Sequence, residues 1–238
     1  MPISPALTGD PENLSPLWWL VLPLSAGAVL LVFGQLAPGP YEVWIAREGW
    51  GLLELSHVAL PLAGFLTGLG ILAKAPPRRN RPLFAWVVLV SLACLMIAGE
   101  EASWGQHYFG WSTPEAWRAL NDQGETNLHN VSSWFDQKPR LLLEFGVILG
   151  GIVVPLAALA RPAIRESRWA AVLPPLACLP SALLAEASRL SERLLDLAQP
   201  GAYLFYRASE VQELYFYLFL LLYLIVLRRR LARLGEET

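Results

Sequence analysis

Six apolar runs divide the chain, at 17–37, 50–73, 83–106, 141–160, 169–190 and 208–227. Each is close to the roughly 20 residues that a helix needs to cross a hydrocarbon core. Polar punctuation separates them: Pro38-Gly39-Pro40 stops the first, and Lys74, Arg78, Arg79 and Arg81 follow the second. Arg161, Arg165 and Arg168 follow the fourth, and Arg228-Arg229-Arg230 closes the last. The pattern predicts an all-α, polytopic transmembrane bundle of about six spans, forming a single domain over 1–238. Pro174, Pro175 and Pro180 predict a kink or break in the fifth span. The one long loop, 107–140, is expected to hold short interfacial helices. Ser112-Thr113-Pro114-Glu115 reads as a capping box opening a helix that carries Trp117 and Leu120. After the turn Asn121-Asp122-Gln123-Gly124, a second helix over 125–135 would set Glu125 and His129 on one face.

Composition fits this reading: 55% of the residues are hydrophobic and only 16% charged. The formal net charge of −2 offers no basic field for nucleic acid. Basic residues crowd the second and fourth loops and the C-terminal tail, which share one side of a six-span chain. The positive-inside bias makes that side cytoplasmic, with both termini inside and the 107–140 loop periplasmic. The N-terminal tail lacks the basic region of a cleaved signal peptide, so the first run is expected to be a retained span. Cys94 and Cys178 lie mid-way along apolar runs and read as small buried hydrophobes.

Ionisable residues within the runs are the informative exceptions. Glu100 lies 17 residues after Leu83, Glu186 17 after Trp169, Glu144 17 before Arg161, His57 17 before Lys74 and Glu213 15 before Arg228. At about 1.5 Å per residue, all five sit near 25 Å from the inner surface. A charge in mid-helix costs on the order of 2.5–3.5 kcal/mol on insertion scales. A metal ion, shared protons, or Arg189 and Arg193 as counter-ions would relieve a layer of them.

Spacing sharpens the metal version. Glu54 and His57 are three apart, as are Glu210 and Glu213, while Glu125 and His129 are four apart. Such pairs share a helix face, as the ligands of bundle di-metal sites do. Glu54, His57, Glu100, His129, Glu210 and Glu213 are the candidate ligands of a divalent zinc, iron or manganese ion. Glu101, Ser103 and Glu125 are the candidate catalytic groups, with Gln106, Asn127, Glu186 and Arg189 supporting them. His107, followed by Tyr-Phe-Gly-Trp, reads as structural. Asn130-Val131-Ser132 matches a glycosylation acceptor, a triplet common by chance.

The stretches Glu100-Glu101-Ala102-Ser103-Trp104-Gly105-Gln106 and Gln123-Gly124-Glu125-Thr126-Asn127-Leu128-His129-Asn130 resemble the motifs of a family of bacterial polytopic membrane proteins. The resemblance implies where a site lies, without naming its chemistry. A more distant likeness is to the alkaline ceramidase-like membrane hydrolases, which set a zinc among His, Asp and Ser. Only three His, and no Asp inside a span, are present here. The expectation is a bacterial inner-membrane enzyme that uses a metal on a lipid or lipid-linked substrate, by hydrolysis or oxidation. The alternatives are an ion- or proton-coupled transporter or channel, or an assembly subunit docking through its Trp-rich loop.

Overall fold

A computed structural model describes residues 14–74, 80–120, 124–128, 131, 133–167 and 169–236. The described residues are helical and contain no strand. Helix α1 (Leu17–Leu36) ends at Pro38-Gly39-Pro40, where a short α2 (Pro38–Trp44) turns the chain. Then come α3 (Leu52–Lys74) and α4 (Arg81–Glu101). The side chain of Asn80 caps α4 by accepting from the Leu83 amide at 3.2 Å, with Pro82 in the first turn. The loop after α4 holds α5 (Gln106–Phe109) and α6 (Glu115–Arg118). Beyond it, α7 (Ser133–Val147) continues through a π-helical turn, Ile148–Val153, into α8 (Val154–Ala160). A single turn, α9 (Pro162–Arg165), precedes α10 (Leu179–Ala198) and α11 (Ala208–Glu236).

Five described helical stretches are long and apolar enough to cross a membrane. They correspond to the first, second, third, fourth and sixth runs. Helix α11 is the axis: 72% of its apolar window is buried, against 17–28% for the other four. Its neighbours α3 and α10 flank it, and α4 packs on α3. Exposed Leu, Val, Phe and Trp side chains cover the outer helices, as suits a lipid solvent.

The fifth run behaves differently from its expected span. No helix covers 169–178 beyond a 3₁₀ turn at Leu176–Cys178, because Pro174, Pro175 and Pro180 remove amide donors. Helix α10 begins at Leu179 and continues to Ala198 through Glu186, Arg189, Glu192 and Arg193. Side chains of α11 satisfy the carbonyls this break exposes. Arg230 Nη1 donates to the carbonyls of Ala170 (2.9 Å), Ala171 (3.2 Å) and Leu173 (2.5 Å). The Tyr223 hydroxyl donates to Val172 O at 2.9 Å, and accepts from Trp86 Nε1 at 2.6 Å.

The loop also departs from its expected form. Thr113 makes no capping bond; its hydroxyl donates to the Gly124 carbonyl and accepts from Gln106, closing the loop instead. Glu125 stands on irregular chain, not in a helix, and α7 is described from Ser133. The third expected span stops at Glu101, because Ser103 and Trp104 take left-handed φ of 43° and 54°.

Where α3 meets α4, glycine allows close approach. A Cβ on Gly68 would lie 3.0 Å from Ser91 Cβ, closer than such atoms pack. Gly68→Ala is therefore expected to cost about 1–3 kcal/mol by overpacking. Thermal unfolding in detergent should show a lowered Tm, and Ser91→Gly on the same chain should restore part of it.

Candidate metal centre and its neighbouring hydrogen-bond cluster

Helix α3 carries Glu54 and His57 one turn apart, and the last residue of α4 is Glu101. One ligand atom from each of these three residues lies within 4.8 Å of the others. His57 is buried, with 1% of its side chain exposed, while Glu101 keeps 20%. The imidazole is fixed from behind by α11: Nε2 lies 3.0 Å from the backbone oxygen of Glu210. A carbonyl oxygen can only accept, so Nε2 carries the proton. In the neutral ring the lone pair of Nδ1 then faces Glu101, whose Oε2 is 3.6 Å away. That separation fits an ion pair when the ring is protonated, and a shared cation when it is neutral. Two ligands about 2.1 Å from one ion at the tetrahedral angle lie roughly 3.4 Å apart. Tyr217 of α11 donates to Glu101 Oε1 at 2.7 Å, and its ring meets the His57 ring edge-on at 5.4 Å. A histidine oriented by a backbone carbonyl and a carboxylate held by a hydroxyl are the supports that ligand sets for zinc, iron or manganese use.

The remaining candidate ligands are placed elsewhere. Glu100 accepts from Trp104 Nε1 (2.7 Å) and the Leu128 amide (2.6 Å), bracing the turn after α4. Glu210 pairs through Oε1 with Arg207 Nε at 3.0 Å, while its Oε2 is buried with no hydrogen-bond partner among the described residues. Glu213 pairs with Arg140 of α7 at 3.0 Å. His129 lies outside the described residues. The layer expected from depth is thus divided. Glu213 lies close enough to act electrostatically on His57, and Glu144 of α7 on Glu186 of α10. Arg189 pairs with Glu192, and Glu186 Oε1 is buried without a hydrogen-bond partner among the described residues.

A second cluster begins two residues after Glu101. Ser103, fully buried, donates to Glu125 Oε2 at 2.7 Å and lies 3.0 Å from His107 Nε2. His107 Nε2 is 2.8 Å from Glu125 Oε1. Asn127 Nδ2 donates to Ser103 Oγ at 2.9 Å and to Glu125 Oε2 at 2.6 Å. Gln106 clamps the returning chain, its Oε1 accepting from the amide and hydroxyl of Thr126, each at 2.8 Å. Burial pushes the Glu125 carboxyl up. The hydrogen bonds of Ser103 and His107, the charge of His107 and the Asn127 amide together outweigh it and hold the carboxyl below its ordinary range.

His107, which reads as structural in the sequence, belongs to the second cluster, and Tyr217, Arg140 and Arg207 join the acids without standing out in the sequence. Tyr217 is four after Glu213 and seven after Glu210, so helical spacing carried its signal, whereas Ser103 and His107 meet across a left-handed turn that spacing does not record. No known protein family, curated protein or solved structure matches the chain.

The lowered folded pKa of Glu125 means its stabilisation is present above the ordinary carboxyl value of 4.5 and is lost as pH falls through the folded value. Acidification below that range should release the loop, read as a change in Trp104 and Trp111 fluorescence. Glu125→Gln should remove the acid transition and show the released signal already at neutral pH.

Proposed function

We propose that the chain is a metal-dependent enzyme of the bacterial inner membrane, acting on a lipid or lipid-linked substrate, with its cation held by Glu54, His57 and Glu101. The observation that carries the reading is the turned-in Nδ1 of His57. An imidazole whose proton is committed to the Glu210 carbonyl faces two carboxylates at a spacing that suits a shared ion. Three protein ligands leave coordination positions open, the usual form of a catalytic centre. A cation bound there supplies Lewis acidity to a carbonyl, phosphoryl or water oxygen. The chain's own groups do the rest: Tyr217 orients Glu101, the Glu210 carbonyl sets the tautomer of His57, and the helices exclude bulk water from one side.

The lipid part of the reading follows from position. The centre lies where α3 begins and α4 ends, beside a loop whose Trp104 and Trp111 are exposed and bonded to Glu100 and Thr126. Amphipathic aromatic rings favour headgroup depth, so a substrate headgroup would meet the site laterally. With the basic loops cytoplasmic, this end is periplasmic.

Elemental analysis of the full chain purified in detergent tests the reading. One equivalent of zinc, iron or manganese is expected, lost in Glu101→Gln and His57→Gln. Glu100→Gln should keep it, because Glu100 is engaged with Trp104 and Leu128. Weak, readily exchanged cation binding would favour a transporter, and no metal in the wild type would remove the enzyme's proposed cofactor.

A further inference from the structure

The second cluster leaves one buried atom unexplained. His107 Nε2 lies 2.8 Å from a carboxylate oxygen of Glu125, which can only accept, so Nε2 carries the ring proton. Ser103 does not compete for that role, since its own proton goes to Glu125 and Asn127 donates to its oxygen. In the neutral ring Nδ1 is then the bare imine nitrogen. It is buried and has no hydrogen-bond partner among the described residues. Such an atom costs free energy unless a water or ligand completes it.

What adjoins His107 suits a small hydroxyl donor. A cavity of about 260 Å³ is lined by Glu48, Gly49, Trp50, His107 and Glu125. Its volume exceeds that of several waters, each occupying roughly 30 Å³ in the liquid. Gly49 keeps the approach clear: a Cβ there would rest 3.5 Å from Nδ1, and its φ of 72° disfavours a side chain in any case. Trp50, exposed and edge-on to Tyr108 at 5.7 Å, stands at the rim.

We propose that His107 is the proton acceptor of this second site, oriented by Glu125, and that the cavity takes a hydroxyl-bearing molecule, either water or the alcohol of a lipid headgroup. In the transfer the O–H bond breaks, its electron pair stays on oxygen, and an N–H bond forms at Nδ1. The resulting imidazolium lies against the Glu125 carboxylate. The arrangement is the one by which a carboxylate behind a histidine readies the opposite ring nitrogen as a base. It goes beyond the metal reading and uses none of its ligands.

Nitrogen NMR of the full chain labelled at histidine, in detergent micelles, tests the proposal, with the His107 ring identified by its loss in His107→Gln or, if that variant does not fold, His107→Asn. The expected spectrum has a protonated Nε2 and an unprotonated Nδ1 shifted in the hydrogen-bonded direction. Phosphatidylglycerol should shift Nδ1 further than phosphatidylcholine, which lacks a headgroup hydroxyl, if the donor is lipid. An equal, hydrogen-bonded Nδ1 in both assigns the donor to water. Glu125→Ala should let the ring average between tautomers. A proton on Nδ1, a free-imine Nδ1 in every preparation, or an unchanged tautomer in Glu125→Ala overturns the proposal. Metal content of the same samples reports separately on Glu54, His57 and Glu101, so either reading can fail alone.

Discussion

The contact between His57 Nε2 and the backbone oxygen of Glu210 ties three helices to one chemical choice. It joins α3 to the first turns of α11, and α11 in turn presents Tyr217 to Glu101 at the end of α4. With a proton committed on one side, the neutral ring offers its lone pair on the other. Arg207 fixes the same end of α11, donating to the Ala46 carbonyl at 2.6 Å and pairing with Glu210. The site is therefore part of the packing of the bundle, not an addition to it.

That packing is organised from the inside. Helix α11 is buried along most of its apolar length and supplies polar groups at two levels: Glu210, Glu213 and Tyr217 near the site, Tyr223 and Arg230 towards the other end. At the far end those groups complete a broken stretch of backbone that would otherwise leave carbonyls unsatisfied in an apolar setting. At the near end they orient acids and an imidazole. One helix thus performs both tasks, while α3 and α4 supply the acids and the imidazole that it orients.

Much of this was legible in the sequence, because long apolar runs and the cost of charge within them are local properties. Of the six runs, five are membrane-length helices, and depth counting set His57, Glu100, Glu144, Glu186 and Glu213 at one expected level. What depth cannot give is rotation. Glu100 and Glu101 differ by about 100° around a helix, and only packing decided that Glu101 meets His57 while Glu100 turns to Trp104. The fifth run failed as a helix because three prolines outweighed its hydropathy, and the break was affordable only through Arg230 and Tyr223, which are remote in sequence. His107 was passed over for a related reason. Its partner Glu125 reaches it across a loop whose course depends on Gln106 and Thr113, and no periodicity records that.

Anomalous X-ray scattering from crystals of the protein grown with zinc or manganese tests the central claim most directly. The account predicts a single strong peak at the metal's absorption edge, within bonding distance of His57 Nδ1 and of a carboxylate oxygen from Glu54 and from Glu101. Absence of a peak there, with His57 Nδ1 found hydrogen-bonded directly to a carboxylate, would contradict it.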